Sequence, residues 1–220
     1  MKFKAIIFDF DGVLLESEYA GNKQIAEFLT GIGHPTTPAE SMANFMGLAG
    51  KDFIAAIERW TGREVSSEFH DARAAEDTRV MAEGIDPVVG AVDFLRGLPV
   101  GFPKAIASSS STVWIVRHLE HLGIRDLFGG MIFSGREHVA NGKPAPDIYL
   151  HAAAALGVDI RRAVIVEDSP VGAIAAVASG AHVIGFVGGT HCADDHGDRL
   201  RAIGVHDVAA DFDEVARIIG

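Results

Sequence analysis

The chain has 220 residues, 48% of them hydrophobic, and a formal net charge of −11. That length suits one large domain or a domain with an insert. The acidic balance argues against a generic nucleic-acid or anionic-membrane surface, which needs a basic patch. With a single cysteine, Cys192, no internal disulfide is possible and a reducing compartment fits. No stretch approaches the ~20 apolar residues of a membrane span, so a soluble, cytoplasmic protein is expected.

The first apolar run, Ala5–Phe8, reads as a buried strand that leads directly into Asp9 and Asp11, with Gly12 next. Two acids this close repel each other and need a cation or a proton between them. One residue apart on an extended chain, they point in different directions and can take different roles. From about residue 17 to residue 84 the pattern holds no convincing strand. Helical periodicity is clearest at 22–29, 52–60 and 68–81, with turn signals at Gly31-Ile-Gly-His-Pro35 and Thr61-Gly62. Asp86-Pro87 and Gly90 then return the chain to alternating strand and helix patterns. Apolar runs at 104–107, 131–133, 163–166 and 182–186 alternate with amphipathic segments at 112–122, 147–156 and 171–179. Such alternation predicts a parallel sheet covered on both faces, with ligands beyond the carboxyl ends of its strands. Ser110-Ser-Thr112 offers N-caps for one helix. Ser169-Pro170 and Gly180 bracket another.

The polar residues that end these runs carry the chemistry. Asp9 ends the first, Ser108 the second, and Glu167 and Asp168 the fourth; Lys143 lies in Gly142-Lys-Pro-Ala-Pro-Asp147 after the third. In a parallel sheet all of them gather on one edge. Carboxylates with few softer ligands suit Mg²⁺. A hydroxyl, backbone N–H groups and a lysine suit phosphate. Together with a carboxylate nucleophile, they suit phosphoryl transfer.

On these motifs the chain resembles the haloacid dehalogenase superfamily, in the branch with a helical cap inserted after the first motif. Phe8-Asp-Phe-Asp-Gly-Val13 is similar to the first motif, Ser108 to the second, Lys143 to the third and Glu167-Asp168 to the fourth. The resemblance implies an α/β fold: a Rossmann-like parallel sheet over residues 1–15 and 87–220, with a helical-bundle cap domain over 16–86. It implies Asp9 as the nucleophile that becomes an aspartyl phosphate, and Asp11 as the acid and base. Ser108, the backbone N–H of Ser109, and Lys143 would hold the phosphoryl oxygens. Mg²⁺ would be held by Asp9, the Asp11 backbone carbonyl, Asp168 and, directly or through water, Glu167.

The cap of this family chooses the leaving group. The resemblance points to Glu16, Ser17 and Asn22 as its first contacts, and to the loop Phe45–Asp52, with Gly47 and Lys51, as the second. β-Phosphoglucomutases share the core motifs but carry a histidine in the first cap helix and an arginine in the cap loop. Gly21 or Asn22 and Gly50 stand near those positions here. The expected activity is therefore a Mg²⁺-dependent phosphatase of the sugar-phosphate group, acting on a small phosphorylated metabolite; the alternative is a phosphomutase. A receiver-like binding module fits poorly, because such modules have no helical insert and draw their acids from different strands. The histidines, ten in all, read as surface groups, Cys192 as a structural or incidental thiol, and the loop 188–197 as peripheral.

Overall fold

A computed structural model describes residues 1–46 and 50–220. The chain forms two compact units, Met1–Glu16 with Asp86–Gly220, and Ser17–Ile85.

In the first unit, β1 (Ala5–Phe8) is followed, after the insert, by α5 (Ala91–Gly97), β2 (Lys104–Ser108), α6 (Thr112–His121), β3 (Ile132–Ser134) and α7 (Asp147–Ala155). Then come β4 (Ala163–Glu167), α8 (Pro170–Ser179), β5 (His182–Phe186), α9 (His196–Ile203), β6 (Asp207–Ala209) and α10 (Phe212–Ile219). Among the described residues the strands form one six-stranded sheet in the order β3-β2-β1-β4-β5-β6. All pairings are parallel.

Continuous apolar runs make these strands, because helices cover both faces of the sheet. Ala5, Ile7, Ala105, Ala107, Ala163, Ile165 and Val183 share one buried cluster with Tyr149 and Ala152 of α7 and with Ala175 and Ala176 of α8. The alternate residue Phe8 meets Phe94 and Phe128 edge-on on the other face, where Phe212 stacks on Phe94 and Phe186.

Register fixes the site. Phe8 pairs with Ile106 on one side and with Val166 on the other. The next residue of β1, Asp9, donates its N–H to the Val166 carbonyl (2.9 Å), so it leaves the sheet beside Glu167 and Asp168. Strand order reverses at β1, where β2 lies on one side and β4 on the other, and such a switch point opens a crevice at the carboxyl ends.

The second unit is helical: α1 (Ser17–Gly31), α2 (Pro38–Phe45), α3 (Gly50–Thr61) and α4 (Ser67–Glu83). Its core is Ile25, Leu29, Phe45, Ala56, Ile57 and Phe69, with Phe28 and Phe53 packed against it. α2 opens on a reciprocal capping box. Thr37 Oγ1 accepts from the Glu40 N–H, and the Glu40 carboxylate accepts from the Thr37 N–H and O–H, with Pro38 at the first helical position. Among the described residues no helix is long and apolar enough to cross a membrane.

Candidate active site

The strand ends bring Asp9, Glu167, Asp168 and Lys143 together. Carboxylate oxygens of Asp9, Glu167 and Asp168 lie within 4.8 Å of one another, and all three residues are buried. The Lys143 Nζ stands 2.8 Å from Asp9 Oδ1 and 2.7 Å from Glu167 Oε2, with its side chain 4% exposed. The loop carrying it is braced by Asn141, which donates to Asp147 at the start of α7 (3.0 Å).

Glu167 sits deepest. Its Oε2 accepts from Lys143 and from the Tyr149 hydroxyl, and its Oε1 accepts from the Ser169 N–H (3.0 Å) and O–H (2.8 Å). These four donors fill the acceptor positions of a carboxylate. The same Ser169 hydroxyl caps α8 by accepting from the Gly172 N–H. Gly172 is required there, since a Cβ would stand 2.1 Å from the Glu167 carboxyl group.

The charges do not balance. Burial, then Glu167, pushes the Asp9 carboxyl well above the usual carboxylate range; Asp168 adds to this, and Lys143 offsets only part of it. Burial also opposes charge on Glu167, but Lys143, Tyr149 and Ser169 more than compensate and hold its carboxyl below the usual value. On Lys143 burial works against the ammonium, yet Asp9 and Glu167 outweigh it and raise the amine. The site is thus short of positive charge. A hard, oxygen-seeking divalent cation suits a donor set of clustered carboxylates.

Asp11 lies in different company. Its Oδ2 accepts from Ser110 Oγ (2.6 Å) and, more weakly, Ser108 Oγ (3.3 Å), while Oδ1 accepts from the Trp114 indole N–H (3.0 Å). The divergence of Asp9 and Asp11 expected from their spacing is therefore a divergence of surroundings: charged groups for one, neutral donors for the other. Ser108 is buried at the end of β2, and its Oγ also accepts from the Ser110 N–H (3.0 Å). The Ser109 side chain is exposed. Ser111 is the N-cap of α6, accepting from the Trp114 N–H.

The residues expected to meet substrate fare unevenly. The Glu16 carboxylate accepts from the N–H and hydroxyl of Thr190. Ser17 is the first residue of α1, and Lys51 is exposed on α3. Gly47 lies outside the described residues. Asn22 is buried; it donates to the Glu18 carbonyl (2.9 Å) and accepts from Ser41 Oγ (2.9 Å). Both of these bonds lie inside the helical unit.

Two expectations need correction. His118, His191 and His196 are buried, not surface groups, and the loop 188–197 is not peripheral. His191 Nε2 is 2.8 Å from Asp168 Oδ2, and His196 Nε2 is 2.5 Å from the Asp168 carbonyl oxygen. Burial, which penalises the imidazolium, lowers His118 to about 4; its ring packs on Trp114 with centroids 4.3 Å apart. Sequence reasoning missed Ser110, Trp114, Tyr149, His191 and His196. The one local signal was that Ser110 and Trp114 follow Ser108 closely.

Known proteins similar to this chain give its family. The model of the family described as haloacid dehalogenase-like hydrolase matches residues 3–180. Hexitol phosphatase A of Escherichia coli (strain K12) is 33% identical over 190 residues, covering 84% of this chain and 83% of that protein. The 6-phosphogluconate phosphatase of the same organism is 25% identical over 196 residues, covering 89% and 85%. A haloacid dehalogenase family hydrolase from Deinococcus radiodurans, solved with bound phosphate and sodium, superposes with a TM-score of 0.89 at 30% identity, covering 99% of this chain and 95% of that one. The chain belongs to the haloacid dehalogenase-like hydrolase family.

Proposed function

From its membership of the haloacid dehalogenase-like hydrolases, a family whose relatives here are phosphoric monoester hydrolases, we propose that this enzyme cleaves a small phosphomonoester, a sugar phosphate or related metabolite, through an aspartyl phosphate on Asp9. The observation that carries this reading is the uncompensated charge at the strand ends: Asp9, Glu167 and Asp168 buried together against the Lys143 ammonium. Asp9 and Asp168 are the proposed side-chain ligands of Mg²⁺, with the Asp11 carbonyl. Glu167, whose oxygens already accept four protein donors, contributes its charge and secures Lys143. The cation, when bound, supplies the positive charge that lets an anionic nucleophile approach an anionic phosphate.

The chain's own groups do the rest. An Asp9 oxygen attacks phosphorus while the bond from phosphorus to the leaving oxygen breaks, and Asp11 gives that oxygen its proton. Water then attacks the aspartyl phosphate and loses a proton to Asp11, releasing phosphate and restoring the Asp9 carboxylate. Lys143 and Ser108 hold the transferring oxygens, with the Ser109 N–H, and stabilise charge that builds on them. The inserted helical unit, which carries Ser17 and Lys51 and follows directly on Glu16, is assigned the choice of leaving group.

The test is phosphate release with Mg²⁺ across phosphorylated sugars, sugar acids, polyols and nucleotides, with β-glucose 1-phosphate tried with and without a bisphosphate. Release from one substrate class, abolished by EDTA and by Asp9→Asn, is expected. Isomerisation that needs the bisphosphate, without release, would make the enzyme a mutase. Turnover in the absence of any divalent cation would overturn the proposed chemistry.

A further inference from the structure

The loop after β5 reaches back across the sheet edge to Asp168, which lies 23 residues before His191 and 28 before His196. The two contacts fall on different parts of the same residue. His191 Nε2 lies 2.8 Å from the carboxylate oxygen Oδ2, with side chains 2% and 4% exposed. His196 Nε2 lies 2.5 Å from the backbone oxygen. A carbonyl oxygen can only accept, so the His196 Nε2 carries the proton; an ionised carboxylate makes the same demand of His191.

The packing leaves this arrangement no slack. Gly12 adopts φ +77°, and a Cβ there would stand 2.1 Å from Asp168 Oδ2 and 2.9 Å from His191 Cε1. A Cβ on Gly189 would stand 2.6 Å from His191 Cε1 and 2.9 Å from the Gly12 carbonyl. The acid loop after β1 therefore lies directly on the Asp168–His191 pair, and both glycines are needed for the approach. Next to His191, Thr190 ties the loop to Glu16 through its N–H and hydroxyl, at 2.9 to 3.2 Å.

We propose that His191 and His196 are positioning residues for Asp168: His191 fixes the plane of its carboxylate, and His196 fixes its main chain, in the orientation that receives the divalent cation. This rests on the reading of Asp168 as a ligand of that cation. A carboxylate on a free rotor must be ordered each time it binds metal, and outer partners that hold it in place commonly account for about 10- to 100-fold in metal affinity. The rival use of the same loop is a soft-metal site. Donor atoms of His191, Cys192 and His196 lie within 4.8 Å of one another, and Cys192 Sγ is 3.4 Å from His191 Nε2. The two uses conflict at the Nε2 atoms of His191 and His196, the nitrogens that face Asp168. A His191 Nε2 that carries a proton for Asp168 has no lone pair for a metal.

The experiment is calorimetric titration of the metal-stripped full chain with Mg²⁺, paired with the Mg²⁺ dependence of turnover. His191→Leu is expected to weaken Mg²⁺ binding about 10- to 100-fold, while kcat at saturating Mg²⁺ stays within a few-fold of the parent. His191→Gln keeps an N–H near the Nε2 position and is expected to recover most of the affinity, and it serves if the leucine variant does not fold. His196→Gln should likewise stay near the parent. Cys192→Ala should bind Mg²⁺ unchanged. Asp168→Asn separates the two levels of the argument. If it binds Mg²⁺ as tightly as the parent, the reading of Asp168 as a ligand fails. If it loses binding while His191→Leu does not, the positioning role fails. Stoichiometric Zn²⁺ retained by the parent through dialysis, and lost in Cys192→Ala, would also overturn the proposal in favour of the soft-metal site.

Discussion

Both units of this chain bury polar side chains, and they do so in opposite ways. In the helical unit Asn22 and Ser41 bond to each other, and Asn22 also bonds the Glu18 carbonyl; every partner is neutral and the exchange is local to the unit. At the strand ends of the α/β unit, Asp9, Glu167 and Asp168 crowd around the Lys143 ammonium, with burial and neighbouring charge pushing Asp9 upward. A satisfied neutral pair stabilises a fold. A buried cluster with excess charge costs stability until a ligand completes it, which makes it the candidate place for chemistry.

The sharpest way to break this contrast is Asp9→Asn. Because Asp9 is the proposed nucleophile, its loss should lower kcat by about 10⁴-fold or more. The same change should raise the melting temperature of the metal-free protein at neutral pH. The sign follows from linkage. In the unfolded chain the Asp9 carboxyl ionises near 3.9, whereas in the fold its value is raised. Its stabilising contribution is complete below the unfolded value and is lost as pH rises through the folded one. The substituted amide has no proton to lose, so the two proteins should converge in acid and separate toward neutrality. Thermal unfolding against pH in EDTA checks this; a neutral-pH melting temperature that falls in Asp9→Asn would place the strain elsewhere.

Lys143→Met probes the same cluster from its positive side. Activity should fall about 10²- to 10³-fold, as when a charge-stabilising donor is removed. Stability should fall as well, by about 3–5 kcal/mol, because Asp9 and Glu167 are left buried without their partner. Urea unfolding measures it, and added Mg²⁺ should restore part of the loss. Asp11→Asn should lie close behind in activity, about 10²- to 10⁴-fold down, yet leave stability nearly unchanged. Among its partners are the neutral donors Ser108, Ser110 and Trp114; the amide can keep its oxygen toward the Trp114 N–H and turn its own N–H groups to the serine hydroxyls, which can accept as well as donate. A large loss of stability in Asp11→Asn would erase the distinction between the two aspartates.

How much of this was legible in the sequence depends on distance along the chain. Strands buried on both faces appear as unbroken apolar runs, and the groups that end them, Asp9, Ser108 and Glu167-Asp168, can be read in order. β6 escaped because its three residues, Asp207–Ala209, include a charged one and form no apolar run. α2 was missed because its eight residues are too short to show a period, although its capping box could have been read from Thr37, Pro38 and Glu40. The surroundings of each carboxylate were not legible. Trp114 meets Asp11 from 103 residues away, and His196 meets Asp168 from 28 away. A histidine in a polar loop carries no local mark of burial; only the return of the loop to the edge of β4 supplies it. The partner of Asn22 was hidden in the same way. The position of Asn22 just after the first strand suggested a ligand, and nothing local revealed Ser41 as its partner.

Asn22→Ala should be the smallest of these effects and the most direct test of the contrast. Removing the amide leaves Ser41 Oγ without its buried acceptor, which should cost about 1–3 kcal/mol of stability, with kcat and KM both within about twofold of the parent. Ser41→Ala should give a similar loss, and the double variant should lose less than the sum, since the two singles delete the same bond. A shift in KM without a loss of stability would mean that Asn22 leaves Ser41 to meet substrate. Polar burial in the helical unit would then serve recognition, and the division between a unit that packs and a unit that reacts would not hold at this residue.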